Sequence, residues 1–442
     1  MRRGVLPNDA TKLSVRDRVR VVTSRTRGFV AYLRPDLLRV AAIMWLPAAT
    51  VALIVHLWGE TAVGLTAGDG SLAFGDDTIN FWAAARLATA GRITEVYDFA
   101  KFHDFQTEVL GGPIHLYHYS YPPTAILVSL PLAFLPYLAA WAVWLTGGWV
   151  AFFAALRAAW PMGSRRNSDA ALSALAAPAI LANAVTGQNG TWMAALLGGG
   201  LVLMERRPRL AGVLCGLLLV VKPQLGLLIP VALIAGRRWV VLAATTASAA
   251  VMALATLLLF GLEPWEAYAA RISILRQWIL EDGTGVWTLM TSVFVMVRHL
   301  SAPLSASYAV QGIAAVVAAV VVVRSWQANG SQAGKNAVLV IGTLLATPYL
   351  QVYDLVVASF VPLWLLAGLP TSDPRRSAAL LGSAALIAAP FISPAVAKLT
   401  GFSIGCLLFI PLFVIAVRRA FDGSDAVRHE GRAGVLLRQT TV

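Results

Sequence analysis

Two adjacent acids, Asp76 and Asp77, lie in a polar segment that separates two hydrophobic stretches of the chain. Aromatic residues follow them, from Phe81-Trp82 to the run His115-Leu116-Tyr117-His118-Tyr119-Ser120-Tyr121. A carboxylate held at the mouth of an apolar bundle can act as a general base that takes the proton of a hydroxyl group. Capping a helix explains the two acids equally well, because aspartate favours the position before a helix and Phe81-Trp82-Ala83 is typical of a helix start.

Further polar residues interrupt the apolar stretches later in the chain: Gln188 and Asn189 between two glycines, Lys222 before a proline, and Gln351, Tyr353 and Asp354 after Thr347-Pro348. Ionisable groups beside long apolar runs are costly to bury, so Lys222 and Asp354 are functional candidates that need partners. Two alternatives stay open. Lys222 could instead extend to the lipid head groups, and His118, Tyr119 and Tyr121 could form an interfacial aromatic belt.

Other potentially reactive residues give weaker signals. Arg271 and Arg276, which lie near Trp265 and Trp278, are either anchors at the membrane interface or phosphate ligands. The six histidines show no metal-ligand spacing, and the two cysteines lie in apolar runs. There is no P-loop or dinucleotide fingerprint. We therefore expect no protein-bound metal, no disulfide scaffold and no cofactor.

The composition indicates the elements that must position these residues. Of 442 residues, 58% are hydrophobic and only 13% are charged, whereas soluble domains carry about 25% charged residues. Repeated apolar runs then predict an all-α, polytopic membrane bundle. The net charge of +13 is concentrated in residues 1–39 and in short hinges between apolar runs. This is the positive-inside pattern of cytoplasmic loops, and it argues against nucleic-acid binding.

The basic hinges predict a topology. Residues 1–39 form a basic cytoplasmic segment, residues 40–417 the membrane bundle, and residues 418–442 a cytoplasmic tail. About twelve spans are expected, within a range of 11–13, because the proline-bounded segment Pro123–Pro136 either crosses the bilayer or only enters it. Ser377–Ile392 and Leu399–Val417 are the last two predicted spans. Two loops, 59–121 and 261–303, fall outside, and the unusual polar residues all fall at outer ends of spans.

Five motifs, in order along the chain, resemble glycosyltransferase family 87. The first, Gly75-Asp76-Asp77 followed by Phe81-Trp82-Ala83-Ala84-Ala85-Arg86 and Tyr97-Asp98, is similar to the first outer loop of that family. The others are Tyr121-Pro122-Pro123 with Leu130-Pro131-Leu132, Gly187-Gln188-Asn189, Gly212 with Lys222-Pro223, and Thr347-Pro348-Tyr349 with Tyr353-Asp354. The family comprises GT-C-type membrane enzymes that use polyprenyl-phosphate sugars, mainly polyprenyl-phosphate mannose.

The resemblance implies roles for particular residues. An acid of the first outer loop is the catalytic base, and by its distance from Phe81-Trp82 this is Asp77 rather than Asp76. Some relatives place a histidine after the motif that matches Thr347-Pro348, where this chain has Gln351, Tyr353 and Asp354. The residues expected to bind donor or acceptor are Arg86, His118, Tyr119, Tyr121, Gln188, Asn189, Lys222, Gln351, Tyr353 and Asp354.

The chemistry of these residues agrees with such a transfer. A polyprenyl phosphate leaves as an anion, so the site needs a cation such as Lys222 rather than a strong general acid. A single displacement with Asp77 as base inverts the sugar. The resemblance implies a bacterial inner-membrane enzyme with both termini cytoplasmic, an extracytoplasmic site, and a glycan or glycolipid as acceptor. The alternatives are a secondary transporter or flippase, which would have polar groups at mid-membrane and related halves, and a polysaccharide polymerase or ligase.

Overall fold

The computed structural model describes residues 45–47, 49–55, 73–160, 175–283, 286–366, 369 and 373–422. The basic segment 1–39, the first part of the loop predicted at 59–121, and the tail beyond residue 422 lie outside these ranges. In the described residues the structure is helical, and its β-pairing is one isolated bridge between Met290 and Gln351. The prediction of an all-α protein is supported.

After a first helical stretch within residues 45–55, the α-helices are α1 (Thr78–Thr89), α2 (Phe99–Leu110), α3 (Pro123–Ser129), α4 (Tyr137–Ala159), α5 (Pro178–Val185), α6 (Gly190–Leu203), α7 (Pro208–Val221), α8 (Pro223–Gly226), α9 (Ile229–Ala235), α10 (Trp239–Phe260), α11 (Glu263–Leu275), α12 (Val293–His299), α13 (Leu304–Gln327), α14 (Gln332–Ala346), α15 (Phe360–Leu366), α16 (Pro374–Thr400) and α17 (Ile410–Phe421). Short 3-10 helices lie at Ile93–Tyr97, Leu130–Phe134, Trp287–Leu289, Val352–Ser359 and Gly405–Leu408, and a π-helix at Arg276–Glu281.

Four of the described helices are long and apolar enough to cross a membrane, judged by length and composition: α4, α10, α13 and the part of α16 from Arg375 to Thr400. The 22 residues of α10 extend about 33 Å, close to the roughly 30 Å of a bilayer's hydrocarbon core. Large apolar side chains on this helix face outward, and Leu258 is 78% exposed. Such exposure is expected where lipid rather than water surrounds a helix.

The remaining apolar segments form shorter helices, and proline often occupies their first turn. Pro178, Pro208 and Pro223 begin α5, α7 and α8, where a missing N–H costs no helical hydrogen bond. An apolar stretch is interrupted at Lys222-Pro223, where α7 ends at Val221 and α8 begins at Pro223. The proline accounts for this break, which apolar length alone would not reveal.

The boundary predicted between the last two spans is wrong. The sequence predicted one span to end at Ile392 and the next to begin at Leu399, but α16 continues to Thr400 with Pro390 and Pro394 inside it. The helix ends instead at Gly401, whose positive φ of +69° is the left-handed conformation that stops helices. The next helix, α17, begins only at Ile410.

The described part of the predicted first loop, from residue 73 to 121, is a packed helical segment rather than an extended loop. Helix α1 lies against α3, α4 and the 3-10 helix at Leu130–Phe134, and ten of its twelve residues are buried. The indole of Trp82 donates to the carbonyl of Leu135 at 2.9 Å. This packing fixes the start of α1, where the two acids lie, relative to the bundle.

Candidate active site

Asp77 lies at the start of α1 with both carboxylate oxygens hydrogen-bonded to side-chain amides. Oδ1 accepts from Nδ2 of Asn80 at 3.0 Å, and Oδ2 accepts from Nε2 of Gln188 at 2.5 Å. The carboxylate makes no capping bond to the helix backbone, so the capping interpretation does not hold for its side chain. Asp77 remains partly exposed, which leaves it accessible to a substrate.

Two further hydrogen bonds set the orientation of these amides. Nε2 of Gln106 donates to Oδ1 of Asn80 at 3.0 Å, and the hydroxyl of Tyr121 donates to Oε1 of Gln188 at 2.9 Å. Because each amide oxygen is an acceptor, each amide nitrogen faces Asp77. The carboxylate therefore receives two donors, an arrangement that favours its ionised form.

The acidity of Asp77 reflects opposing influences. Burial raises its pKa above the usual aspartate value, and this effect outweighs the hydrogen bonds from Gln188 and Asn80 and the positive charge of Lys222, which lower the pKa. A carboxylate with a raised pKa holds a proton more strongly. Asp77 is therefore a better proton acceptor than a fully solvated aspartate.

Asp76 has a different environment from its neighbour. Its φ of +45° is unusual for a residue other than glycine, and its Oδ1 accepts from the hydroxyl of Tyr117 at 2.8 Å. The same hydroxyl accepts from the backbone N–H of Ala73 at 3.0 Å. These contacts give Asp76 a part in the turn that leads into α1.

Lys222 and Asp354 form a buried ion pair, and its two residues are 132 positions apart in sequence. Nζ of Lys222 lies 2.6 Å from Oδ1 of Asp354, and the side chains are 2% and 0% exposed. Oδ2 of Asp354 accepts from the backbone N–H of Gln351 at 3.2 Å. Both predicted ionisable candidates thus have partners, and the prediction that Lys222 could extend to the head groups is wrong.

Aromatic faces surround the ammonium group of Lys222. Nζ lies 4.7 Å from the ring centre of Tyr353 and 5.8 Å from that of Tyr121. Aromatic faces carry negative charge density, so both rings attract the cation. Tyr121 therefore contacts both parts of the site, since its hydroxyl holds Gln188 and its ring lies beside Lys222.

The turn at Gly187-Gln188-Asn189-Gly190 connects the surroundings of Asp77 with those of the Lys222–Asp354 pair. Gly187 has a φ of +58°, and its carbonyl accepts from Oγ1 of Thr78 at 2.9 Å. A Cβ on Gly190 would lie 2.2 Å from the carbonyl oxygen of Tyr353. Only glycine permits this approach, which brings the turn against both α1 and the 3-10 helix at Val352–Ser359.

Several buried polar atoms at or near this turn have no hydrogen-bond partner among the described residues. Asn189 is 0% exposed, and neither its Oδ1 nor its Nδ2 has a partner. Among the described residues the hydroxyl of Tyr119 also has no partner. Buried polar groups are nearly always hydrogen-bonded, so these atoms are candidates to receive substrate hydroxyls or phosphate oxygens.

Two predicted site residues lie elsewhere. Arg86 donates to the carbonyl of Ala133 at 3.3 Å and lies over the ring of Trp82. It follows Asp77 by nine residues, or about 14 Å along α1. His118 packs 6.1 Å from the ring of Phe99, and burial lowers its pKa to about 4, so its imidazole is neutral at pH 7.

Two residues that hold the site were not predicted. Asn80 follows Asp77 by three residues, so both lie on one face of α1, and this spacing was a usable signal. Gln106 lies on α2 and reaches Asn80 only through the fold, a contact that no sequence pattern indicates. Within the described ranges, no three His, Cys, Asp or Glu side chains are grouped closely enough to hold a metal ion.

Comparison with known proteins gives one match. A family model described as Glycosyltransferase family 87 matches residues 119–348, just over half of the chain. The matched range contains Tyr121, Gln188 and Lys222, whereas Asp77 precedes it and Asp354 follows it. No curated protein and no solved structure shows significant similarity to the chain.

Proposed function

Because the chain belongs to glycosyltransferase family 87, we propose that it transfers a hexose, in the first instance mannose, from a polyprenyl-phosphate donor to a glycan or glycolipid. Family membership and the apolar helices make it a membrane glycosyltransferase. The identity of the donor, the identity of the sugar and the roles of individual residues are all part of this proposal. The observation that carries it is the carboxylate of Asp77, held by two amide donors and influenced by the charge of Lys222.

Asp77 serves as the general base. Its ionised carboxylate takes the proton of the acceptor hydroxyl while that oxygen attacks the anomeric carbon of the donor sugar. The bond between the anomeric carbon and the phosphate oxygen breaks, and the electron pair leaves with the polyprenyl phosphate. Attack and departure occur on opposite faces of the sugar, so its configuration inverts. Asn80 and Gln188 hold the carboxylate in place for this step.

Lys222 stabilises the phosphate. An ammonium group has three N–H donors, and Asp354 takes one of them at 2.6 Å. The other donors can bind oxygens of the donor phosphate, whose negative charge increases as the sugar departs. Because Lys222 is buried, this interaction is stronger than it would be in water.

The unpartnered amide groups suit the sugar. Asn189 offers a donor and an acceptor that no described residue uses, and sugar hydroxyls can satisfy both. Gln351, Tyr119 and Tyr353 complete the proposed contacts to donor or acceptor. For Arg86, which contacts Ala133 and Trp82, and for His118, which packs against Phe99, we propose no contact in this step.

The membrane arrangement is part of the proposal. We keep about twelve spans, cytoplasmic termini and an extracytoplasmic site in a bacterial inner membrane, supported by the basic hinges and the many short apolar helices. The lipid tail of the donor would lie along the proline-broken segment from α3 to the following 3-10 helix. Val128 and Phe134 on this segment are 41% and 79% exposed.

The two neighbouring acids provide a matched test. Asp77→Asn removes the base but keeps the size of the side chain, whereas Asp76→Asn places asparagine in a left-handed conformation that it tolerates. With purified protein, polyprenyl-phosphate mannose and envelope glycans as acceptors, we expect Asp77→Asn to lower kcat by roughly 10²–10⁴-fold. Asp76→Asn should keep most of the activity.

Each outcome separates one hypothesis from another. Near wild-type turnover by a folded Asp77→Asn variant would refute the assignment of the base. Loss of activity in Asp76→Asn alone would move the base to Asp76. A transporter or flippase forms no covalent product, so a labelled glycan made by the purified wild-type protein excludes that alternative.

A further inference from the structure

A surface cavity of about 330 Å³ lies between the 3-10 helix at Ile93–Tyr97, the start of α2, and α11. Its lining combines charged, hydroxyl, aromatic and small apolar groups: Thr94, Glu95, Tyr97, Asp98, Lys101, Ala267, Ala270 and Arg271. The volume is at the lower end of the roughly 300–1,000 Å³ found for small-molecule sites. None of these residues takes part in the proposed transfer step.

Arg271 supplies an unpaired positive charge to the cavity. Its guanidinium lies 5.4 Å from the ring centre of Phe99, and that ring packs 5.0 Å from Trp278. Within the described residues no carboxylate forms a salt bridge with Arg271, whereas Arg276 on the following turn pairs with Glu281 at 3.0 Å. The aromatic support fixes the plane of the guanidinium while its N–H groups stay available.

The acids of the cavity have structural partners that leave acceptor positions free. Glu95 pairs with Arg92 at 2.7 Å. Asp98 accepts from the backbone N–H of Lys101 at 3.3 Å, and Lys101 Nζ lies 3.9 Å from its other oxygen. An ionised carboxylate has about four acceptor sites. The cavity therefore offers both donors and acceptors of hydrogen bonds within a short distance.

The cavity connects with the proposed site through two tyrosines. Tyr97 is 1% exposed and forms part of the cavity wall. Its hydroxyl donates to the carbonyl of Tyr121 at 3.1 Å, and Tyr121 holds Gln188, which holds Asp77. A molecule in the cavity is thus separated from the base by this aromatic layer, so it cannot be the reacting sugar itself.

We propose that this cavity binds a sugar of the acceptor glycan that lies beyond the sugar receiving the transfer. This inference rests on the proposed function. Sugar hydroxyls donate to carboxylates and accept from guanidinium and ammonium groups, which matches a lining with Asp98, Arg271 and Lys101. A lipid tail would leave these charges without partners, and a fully ionised phosphate has no O–H to donate to the acceptor oxygens of Glu95 and Asp98. The protein therefore favours acceptors with more than one sugar.

The test measures glycan binding independently of transfer. Native mass spectrometry of the full chain in detergent is carried out with glycans released from the envelope of a strain lacking the gene, separated into single-sugar and oligosaccharide fractions. We expect the wild type and Asp77→Asn to bind the oligosaccharides alike. Arg271→Ala and Lys101→Ala should each lower the bound oligosaccharide fraction several-fold or more. Arg276→Ala is the matched control, and it should bind like the wild type.

The outcomes distinguish the cavity from the transfer reaction. Equal oligosaccharide binding by Arg271→Ala, Lys101→Ala and the wild type overturns the inference even if Asp77→Asn abolishes transfer. No oligosaccharide binding by the wild type, or binding of inorganic phosphate in place of glycan, also overturns it. Weakened binding in Arg271→Ala without any transfer by the wild type supports the cavity and refutes the proposed reaction.

Discussion

Removing Lys222 should both destabilise the protein and abolish transfer, and these two effects can be separated. In Lys222→Met, the carboxylate of Asp354 stays 0% exposed and loses its partner at 2.6 Å, and its remaining partner in the described part of the chain is the backbone N–H of Gln351 at 3.2 Å. Leaving one member of a buried ion pair uncompensated costs about 3–5 kcal/mol. We expect a loss of this size in the free energy of unfolding.

The double variant Lys222→Met with Asp354→Asn should recover most of that stability. Asparagine keeps an oxygen that accepts from Gln351 but has no charge, so no uncompensated ion remains in the interior. SDS-induced unfolding in mixed micelles, followed by tryptophan fluorescence, gives the free energy for the wild type, both single variants and the double variant. The interaction energy from this cycle should be well above the roughly 0.5 kcal/mol scatter of independent sites.

Transfer should not recover together with stability. Lys222 supplies the cation for the leaving phosphate, so we expect both Lys222→Met and the stable double variant to lose roughly 10²–10³-fold in kcat, the scale for one preorganised donor at a developing charge. If the double variant were as active as the wild type, Lys222 would have only a structural role. If Lys222→Met were as stable as the wild type, the pair could not be buried as described.

Three further predictions concern the amides and glycines around Asp77. Gln188→Ala removes a hydrogen bond that lowers the pKa of Asp77, so this pKa rises further. The acidic limb of the kcat/KM profile should therefore move to higher pH. A shift to lower pH would contradict the assignment of Asp77 as the base. Asn189→Leu removes a buried amide that has no partner among the described residues, so the free energy of unfolding should stay equal or increase by about 1–3 kcal/mol. The KM for the donor should rise. A marked loss in the free energy of unfolding would show that the amide has partners in the folded protein. Gly190→Ala places a Cβ 2.2 Å from the carbonyl oxygen of Tyr353 and should lower the free energy of unfolding by about 1–3 kcal/mol. Gly312→Ala, with open space around its Cβ, is the control measured in the same unfolding assay.

The sequence predicted the polar groups of the site better than their arrangement. Lys222 and Asp354 were recognisable because ionisable residues are rare beside apolar runs, and the structure shows that they partner each other. Their burial could not be predicted, since an extended lysine and a buried one have the same sequence context. Arg86 is near Asp77 in its motif, but nine residues of α1 separate the two by about 14 Å, and such a separation is not evident from a motif.

The fold was predictable where a single sequence pattern, such as a continuous apolar run, determines the local structure. Trp239–Phe260 is a continuous apolar run of membrane-spanning length and forms α10 with these bounds, because such a run has one simple structure in lipid. The segment from residue 73 to 121 was predicted as part of an outer loop with a helix starting near Phe81, but the bounds of α1 and α2 were not predicted, since helices of twelve residues are too short for a search based on membrane-spanning length. Helix α16 was divided at its prolines, although tertiary packing can override a local preference of this kind.

The pairing of Lys222 with Asp354 also has a consequence for the end of the reaction cycle. The pair carries no net charge, so with Asp77 ionised the site carries one negative charge before the donor arrives. A phosphodiester donor brings one negative charge, but the polyprenyl phosphate product is a monoester, which carries nearly two at pH 7 because its second pKa is about 6. Lys222 then faces three negative charges, one of them from Asp354 and fixed to the protein. We expect Asp354 to compete with the product phosphate for the ammonium group of Lys222, which favours release of the spent carrier once the transfer is complete.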